Sequence, residues 1–245
     1  MKISGNTVLI TGGTSGIGRA FAEQFLLGGS KVIICGRRED RLERIRKELP
    51  GVATTVCDVA NPAQRTSLFS EVTTRFPGVN MLINNAGVQL EADMTREVSL
   101  DRIHTEIETN LVAPIHLSSL FVPHLAAQRN AAIINVSSGL AFVPIAFMPV
   151  YCASKAAIHS ITLSLRHQLK NKPIQVFEII PPSVDTELGH DRRKDKSATH
   201  GGMPVNEFIE GAMDALRKDI LEAPIGHAAG LRAKREEAFE QLNSR

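Results

Sequence analysis

Residues 7–18 read Thr-Val-Leu-Ile-Thr-Gly-Gly-Thr-Ser-Gly-Ile-Gly, and this stretch decides the fold. A short apolar run, Thr7–Ile10, breaks into a turn carrying Gly12, Gly13, Gly16 and Gly18, and a helical pattern follows directly. A strand–turn–helix of this kind aims free backbone N–H groups at whatever sits on the helix N-terminus, and its glycines let a pyrophosphate approach closely. Read from Gly12, the spacing is Gly-x-x-x-Gly-x-Gly rather than Gly-x-Gly-x-x-Gly. The same glycines would also serve a plain tight turn; their place after the first strand favours the phosphate. Gly12, Thr14, Ser15, Gly16, Ile17 and Gly18 are the candidate contacts to a dinucleotide.

Outward from this turn, short β-branched runs alternate with longer helical patterns. Thr7–Ile10, Lys31–Cys35, Val52–Val56, Met81–Ile83, Ile133–Val136 and Ile174–Ile180 read as strands. Most are continuous apolar runs, as parallel strands covered on both faces require. Gly28-Gly29 ends the first helix, Pro50-Gly51 follows the second, and Asn61-Pro62 supplies a cap with proline at the first helical position. Repeated strand–helix–strand units predict an α/β fold of Rossmann type, a doubly wound parallel sheet flanked by helices. No linker or internal repeat divides residues 1–245, which read as one domain. Leu188–Pro204 stands apart, with Asp191, Arg192, Arg193, Lys194, Asp195 and Lys196 ahead of Gly201-Gly202. At 17 residues without apolar pattern, it is expected to be a mobile active-site lid or locally disordered. Amphipathic spacing returns at Phe208, Ile209, Met213, Leu216 and Leu221, and a final charged helix is predicted over Ala228–Leu242.

Composition narrows the function classes. Of 245 residues, 43% are hydrophobic and 22% charged, which is globular usage rather than disordered or collagenous. Ten Phe, one Tyr and no Trp predict a core packed mainly from aliphatic side chains, and leave Tyr151 conspicuous. A net charge of +2 makes no electrostatic case for nucleic acid or an anionic membrane. Cys35, Cys57 and Cys152 form neither an even set nor a CxxC pair, which argues against a disulfide framework or structural zinc and for a reducing, cytoplasmic compartment. Val8–Ile10 is too short for a signal-peptide core. The uncharged stretch Asn130–Ser154 holds Asn135, Ser137, Ser138, Pro144 and Pro149, which a helix in lipid would not tolerate.

The end of the second strand reads Gly36-Arg37-Arg38, where an acidic residue would accept hydrogen bonds from an adenosine ribose. Without that carboxylate a 2′-phosphate meets no like charge, and guanidinium groups can bind it in bidentate fashion. This predicts NADP(H) in preference to NAD(H), with NAD(H) still possible because Ser15 adds no second basic contact. The alternative is that Arg38 and Arg41 simply open a solvated charged helix. Further along, Tyr151 and Lys155 lie four apart, on one face of a helical pattern running to Leu169. An ammonium beside a phenol favours phenolate, which a group with an ordinary pKa of about 10 needs for acid–base work near neutrality. Ser138 lies thirteen residues before Tyr151, just past a strand ending at Val136. That puts a hydroxyl at the C-terminal sheet edge, where ligands of open α/β folds bind.

Thr11–Gly18, Asn84-Asn85-Ala86-Gly87, Asn110, Ser138, Tyr151 and Lys155 follow one another in an order and spacing that resembles the classical short-chain dehydrogenase/reductase family. The resemblance spans nearly the whole chain. It implies an Asn–Ser–Tyr–Lys tetrad: Tyr151 as proton donor or acceptor, Ser138 holding the substrate oxygen, Lys155 on the ribose hydroxyls, and Asn110 helping to hold a water that relays protons to Lys155. It further implies adenine contacts from Asp58 and Val59, ribose contacts from the Asn85-Ala86-Gly87 backbone, and cofactor contacts from Pro181, Val184 and Thr186. Where the family usually reads Pro-Gly-x-Val-x-Thr, this chain has Pro181-Pro182-Ser183-Val184-Asp185-Thr186, and Pro182 removes an N–H. Cys35-Gly36-Arg37-Arg38, the Pro-Pro turn and the C-terminal helix look, more loosely, like the DltE-like subgroup; the alanyl chemistry behind that name is not implied. The resemblance also implies a homodimer or homotetramer formed through Leu111–Ala127 and the Tyr151–Leu169 helix, the first of which is apolar around much of its circumference.

The implied activity is hydride transfer between NADP(H) and a small-molecule carbonyl or alcohol. Two other classes stay open: a catalytically silent dinucleotide-binding sensor or scaffold, and an epimerase or dehydratase on the same fold. Eight histidines show no metal-ligand spacing, so no metal is expected, and His190 and His200 read as solvated loop. Cys152 reads as small-residue packing rather than a reactive thiol. Phe142, Pro144, Phe147 and Met148 suit either an apolar substrate pocket or core packing.

Overall fold

A computed structural model describes residues 1–189 and 201–244. Seven strands, β1 (Thr7–Thr11), β2 (Lys31–Gly36), β3 (Ala53–Val56), β4 (Met81–Asn84), β5 (Ala131–Val136), β6 (Ile174–Ile180) and β7 (Glu222–Pro224), form one sheet in the order 3-2-1-4-5-6-7. Every pairing is parallel. The helices are α1 (Gly16–Leu27), α2 (Glu39–Glu48), α3 (Pro62–Arg75), α4 (Leu100–Ile107), α5 (Ala113–Leu125), α6 (Pro149–Gln168), α7 (Val205–Arg217), α8 (Ala228–Lys234) and α9 (Phe239–Asn243). The strand order reverses between β1 and β4, which opens a crevice at the C-terminal ends of those strands.

The continuous apolar strands divide their side chains between two cores. Val8, Ile10, Ile34, Phe177 and Ile179 pack with Phe21 and Phe25 of α1 and with Phe208 and Met213 of α7. Leu9, Ile33, Leu82, Ile133 and Val176 face the opposite way, onto Leu68 of α3 and Phe121 of α5. Aliphatic residues dominate both cores, yet Phe21, Phe25, Phe121, Phe177 and Phe208 are all fully buried. Each such ring contributes about 1.5–3 kcal/mol by leaving water. Predicted punctuation takes its expected form. Gly28 caps α1 and Gly29 turns left-handed at φ 76°. Asn61 caps α3 by accepting from the Ala63 and Gln64 N–H groups at 3.0 and 3.2 Å.

Three local expectations need correction. β7 was not predicted, because three residues ending in Pro224 carry no strand pattern; proline is tolerated there because the strand lies at the sheet edge. The predicted helix Ala228–Leu242 is instead α8, a 3₁₀ turn over Arg235–Ala238, and α9. The break falls at Arg235, whose φ of 52° is left-handed. It brings Ala238 and Phe239 onto Phe142, Val143 and Ile180, and Asn243 bonds back to Ala146 N and Pro144 O. Leu221 falls beyond α7, which ends at Arg217. Within the expected lid, Met203 is bridged to Val184, and its N–H donates to Ser183 O at 2.8 Å. The basic run from Asp191 and the flanking His190 and His200 lie outside the described residues. No helix among the described residues is long and apolar enough to cross a membrane.

Candidate active site

At the β1–β4 crevice two turns are stitched together. The Asn85 side chain donates to Thr11 O (2.9 Å) and Gly12 O (3.2 Å), and the Thr11 hydroxyl accepts from Asn85 N and Ala86 N at 3.0 Å each. Here glycine is obligatory. Gly12 has φ 67° and a Cβ there would lie 2.8 Å from Ala86 Cα; one on Gly18 would lie 2.4 Å from both Asn85 Nδ2 and Gly12 O. Ser15 is the N-cap of α1 but its side chain makes no capping bond, so the first-turn N–H groups of the helix keep their capacity for an anion. A Cβ on Gly16 would meet Thr186 at 3.1 Å, so the segment after β6 folds over the glycine turn. The residues present thus fit a dinucleotide pyrophosphate: a glycine cradle at an uncapped helix start.

The adenosine end is more open. Arg37 and Arg38 are exposed beyond β2. Partial burial, and then the neighbouring Arg41 and Arg37, pull the Arg38 guanidinium below its ordinary pKa. Arg41 is ion-paired to Glu187. After β3, Asp58 turns to its own loop, accepting from Ala60 N at 3.0 Å, while Val59 is buried and its carbonyl accepts from Arg65 at 2.6 Å.

The four residues expected to form a tetrad are all buried at the C-terminal edge of β5. Asn110 sits in a π-helical turn, Glu108–Val112, inserted between α4 and α5. The extra residue of that turn points the amide at the backbone after β4, where it accepts from Val88 N (2.9 Å) and donates to Val88 O (2.8 Å) and Ser154 Oγ (3.2 Å). Ser138 follows β5 and its Oγ accepts from Leu140 N at 3.1 Å. Tyr151 and Lys155 lie on the same face of α6. Lys155 Nζ donates to Val136 O at 2.9 Å and lies 5.8 Å from the centroid of the Tyr151 ring. Burial lowers its pKa from the ordinary 10.5 to about 8, against the opposing pull of Glu178. The missing Cβ of Gly87 would lie 3.5 Å from Asn110 Oδ1 and 3.9 Å from Lys155 Nζ, so these three positions converge. Nearby, Gly139 N donates to Pro181 O at 2.8 Å, tying the Ser138 turn to the Pro-Pro segment.

A family model described as short chain dehydrogenase matches residues 6–197. The chain belongs to the short-chain dehydrogenase family. It is similar along its whole length to the uncharacterized oxidoreductase DltE of Bacillus subtilis (strain 168), with 45% identity over 251 residues covering 100% of this chain and 99% of the relative. That agrees with the subgroup resemblance seen in the sequence. Among solved structures, a short-chain dehydrogenase from Sphingobium yanoikuyae in complex with NADPH superposes with a TM-score of 0.82 at 27% identity, covering 93% of this chain and 91% of that one. A short-chain dehydrogenase/reductase from Burkholderia phymatum in complex with NAD gives 0.85 at 25% identity, covering 99% and 97%. Membership makes this chain an NAD(P)-dependent short-chain dehydrogenase/reductase.

Some side chains at this short-chain dehydrogenase site were not anticipated. Ser137 Oγ donates to Glu178 Oε1 at 2.6 Å, and His159 Nδ1 lies 2.8 Å from Glu178 Oε2. Their signals were an acid inside the apolar strand Ile174–Ile180 and a histidine one turn beyond Lys155. Phe142 and Met148 are buried, whereas Phe147 is exposed. Cys152 is buried, its thiol pushed up by that burial and bonded to Ile145 backbone, as packing requires.

Proposed function

We propose that the protein transfers hydride between NADP(H) and a carbonyl or alcohol carbon of a small molecule, with Tyr151 exchanging the proton on the substrate oxygen. The observation that carries this reading is a buried Lys155 ammonium, held on Val136 O one helical turn from the chain's only tyrosine. When bound, the nicotinamide cofactor supplies the hydride acceptor or donor. Gly12, Thr14, Ser15, Gly16, Ile17 and Gly18 hold its pyrophosphate; Asp58 and Val59 border the adenine. Asn85, Ala86 and Gly87 hold the ribose, and Pro181, Val184 and Thr186 close over the nicotinamide end.

In the carbonyl-reducing direction Ser138 Oγ donates a hydrogen bond to the substrate oxygen and Tyr151 gives up its phenolic proton. The nearby ammonium stabilises the phenolate that remains. Asn110, anchored on Val88, holds a water through which Lys155 is coupled to solvent. Arg37 and Arg38 bind the 2′-phosphate, their mutual crowding being relieved by two negative charges. On α5 and α6, Ile115 and Leu163 are exposed aliphatic residues, which supports a homodimer or homotetramer built on those helices.

Tyr151→Phe removes one oxygen from a buried ring. Turnover in an NADPH-consumption screen over diverse aldehydes and ketones is expected to fall roughly 100-fold or more, with NADPH binding retained. Turnover within tenfold of wild type would refute the acid–base role.

A further inference from the structure

β6 carries an acid where its neighbours demand an apolar side chain. Ile174, Val176 and Ile180 share the face of Glu178, and Glu178 is itself fully buried. It is well satisfied. One carboxylate oxygen accepts the Ser137 hydroxyl at 2.6 Å and the other faces His159 Nδ1 at 2.8 Å, so this ring nitrogen carries the proton. Burying a carboxylate costs several kcal/mol unless its bonds are of this quality, and an aliphatic residue would fill the same place without that cost.

The positions of the two partners matter more than their number. Ser137 directly follows β5, between Val136, whose carbonyl holds Lys155 Nζ, and Ser138. His159 lies on α6 one turn beyond Lys155, on the same face, with Phe142 edge-on against its ring at 4.7 Å between centroids. The carboxylate therefore ties the strand end that presents Ser138 to the helix that presents Tyr151 and Lys155. We infer that Glu178 is a positioning residue, which sets the spacing of Ser138 from the Tyr151–Lys155 pair by clamping Ser137 and His159 together. This inference rests on the proposed acid–base reading of Tyr151.

The titratable and charged groups around the carboxylate are Lys155 and His159 from α6, Glu222 from β7, and Arg232 from α8, which bonds Glu222 at 2.6 Å. His159, Glu178 and Glu222 bring ligating atoms within 4.8 Å of one another. Ser137, His159 and Arg232 already occupy the carboxylates, so the cluster is an internal clamp rather than a metal centre. Lys155 feels Glu178 as an anion that raises its pKa against burial.

The test is Glu178→Gln in the full chain, which keeps the shape and removes the charge. Its kcat for carbonyl reduction is expected to fall about 10- to 100-fold, the range a small misplacement of reacting groups produces, with KM for NADPH within threefold of wild type. The alkaline limb of kcat moves to lower pH, because loss of the anion lowers the Lys155 pKa and eases ionisation of Tyr151 alike. Ser137→Ala, which cuts one arm of the clamp and spares the charge, is expected to lower kcat without moving that limb. Nuclear magnetic resonance of isotopically labelled lysine, with Lys155→Met to assign the signal, follows the ammonium without any turnover. In Glu178→Gln its titration shifts below that of wild type. Unchanged kcat and an unshifted titration in a folded Glu178→Gln protein would overturn the inference. If Glu178→Gln does not fold, an unchanged kcat in Ser137→Ala does so. A wild-type protein that turns over no carbonyl refutes the acid–base reading instead, and the lysine titration still reports whether Glu178 acts on Lys155.

Discussion

One sheet edge holds its polar groups in two opposite ways. At the β5–β6–α6 end Ser138, Tyr151, Lys155, Asn110 and Glu178 are all buried, and short hydrogen bonds to backbone or to the side chains of Ser137 and His159 fix Lys155, Asn110 and Glu178. At the β2–β3 end Arg37 and Arg38 stand in solvent, and the ion pair closing that region, Arg41 with Glu187, is itself partly exposed. The difference matches the task proposed for each end. Proton transfer depends on atoms held to a fraction of an ångström in a low dielectric, whereas recognising a phosphate needs only positive potential at longer range. The first end should respond steeply to single substitutions and weakly to salt; the second should do the reverse.

Lys155→Met is the strongest way to break that contrast. Lowering the lysine pKa from 10.5 to about 8 means that burial costs the ammonium roughly 3 kcal/mol at pH 7. Because the folded pKa is the depressed one, this cost is fully present below pH 8 and disappears as the pH rises towards 10.5. Methionine of similar length removes it. Turnover is expected to fall about 100-fold or more, while the thermal midpoint at pH 7 stays level or rises. A large drop in stability would show that the ammonium is structural. In the wild type, carbonyl reduction should decline through an apparent pKa near 8 as the ammonium is lost, and added salt should leave that midpoint nearly unmoved.

Arg38→Ala comes next in size. A single exposed guanidinium on a phosphate is expected to be worth about tenfold in NADPH dissociation constant, to shrink as salt is raised, and to leave NADH binding untouched. The double change with Arg37→Ala should bring the two cofactors to similar affinity. Equal affinities already in the wild type would remove the basis for the NADP(H) preference and make both arginines the solvated helix opening that their exposure also suits.

Most of this contrast could be read from the chain before any coordinates, but not all for the same reason. The parallel sheet was legible because strands covered on both faces must be apolar throughout, and the glycine turn because close backbone approach forbids a Cβ at Gly12 and Gly18. Tyr151 and Lys155 were legible because helical spacing puts them on one face. Glu178 was not, because a lone acid in a strand is informative only once its partners are known; Ser137 and His159 lie 41 and 19 residues away in the chain. The π-helical turn around Asn110 was not legible because the run beside it, Leu111–Ala127, is apolar around much of its circumference and hides the phase shift that one inserted residue makes. The break at Arg235 is equally silent: an arginine at φ 52° is held there by what Ala238 and Phe239 bury, not by its own preference.

The smallest expected effect tests the open end alone. Glu187 pairs with Arg41 across the rim that also carries Arg38, and both partners are about a third or more exposed, with side-chain accessibilities of 44% and 32%. An exposed pair of this kind contributes roughly 0.2–1 kcal/mol to stability, so Glu187→Gln should barely shift the thermal midpoint. Its effect on the cofactor should have the opposite sign from that of the arginine substitutions. Freed of its carboxylate, Arg41 adds to the positive potential facing a 2′-phosphate, and NADPH should bind about two- to fivefold more tightly at low salt. Near 0.5 M salt the Debye length is shorter than the span of the arginine cluster, and the gain should vanish. A gain that survives high salt, or extends equally to NADH, would mean that Glu187 acts by holding the segment after β6 over the glycine turn through Thr186. The rim would then share the geometric precision of the catalytic end, and the division between the two ends would fail at this residue.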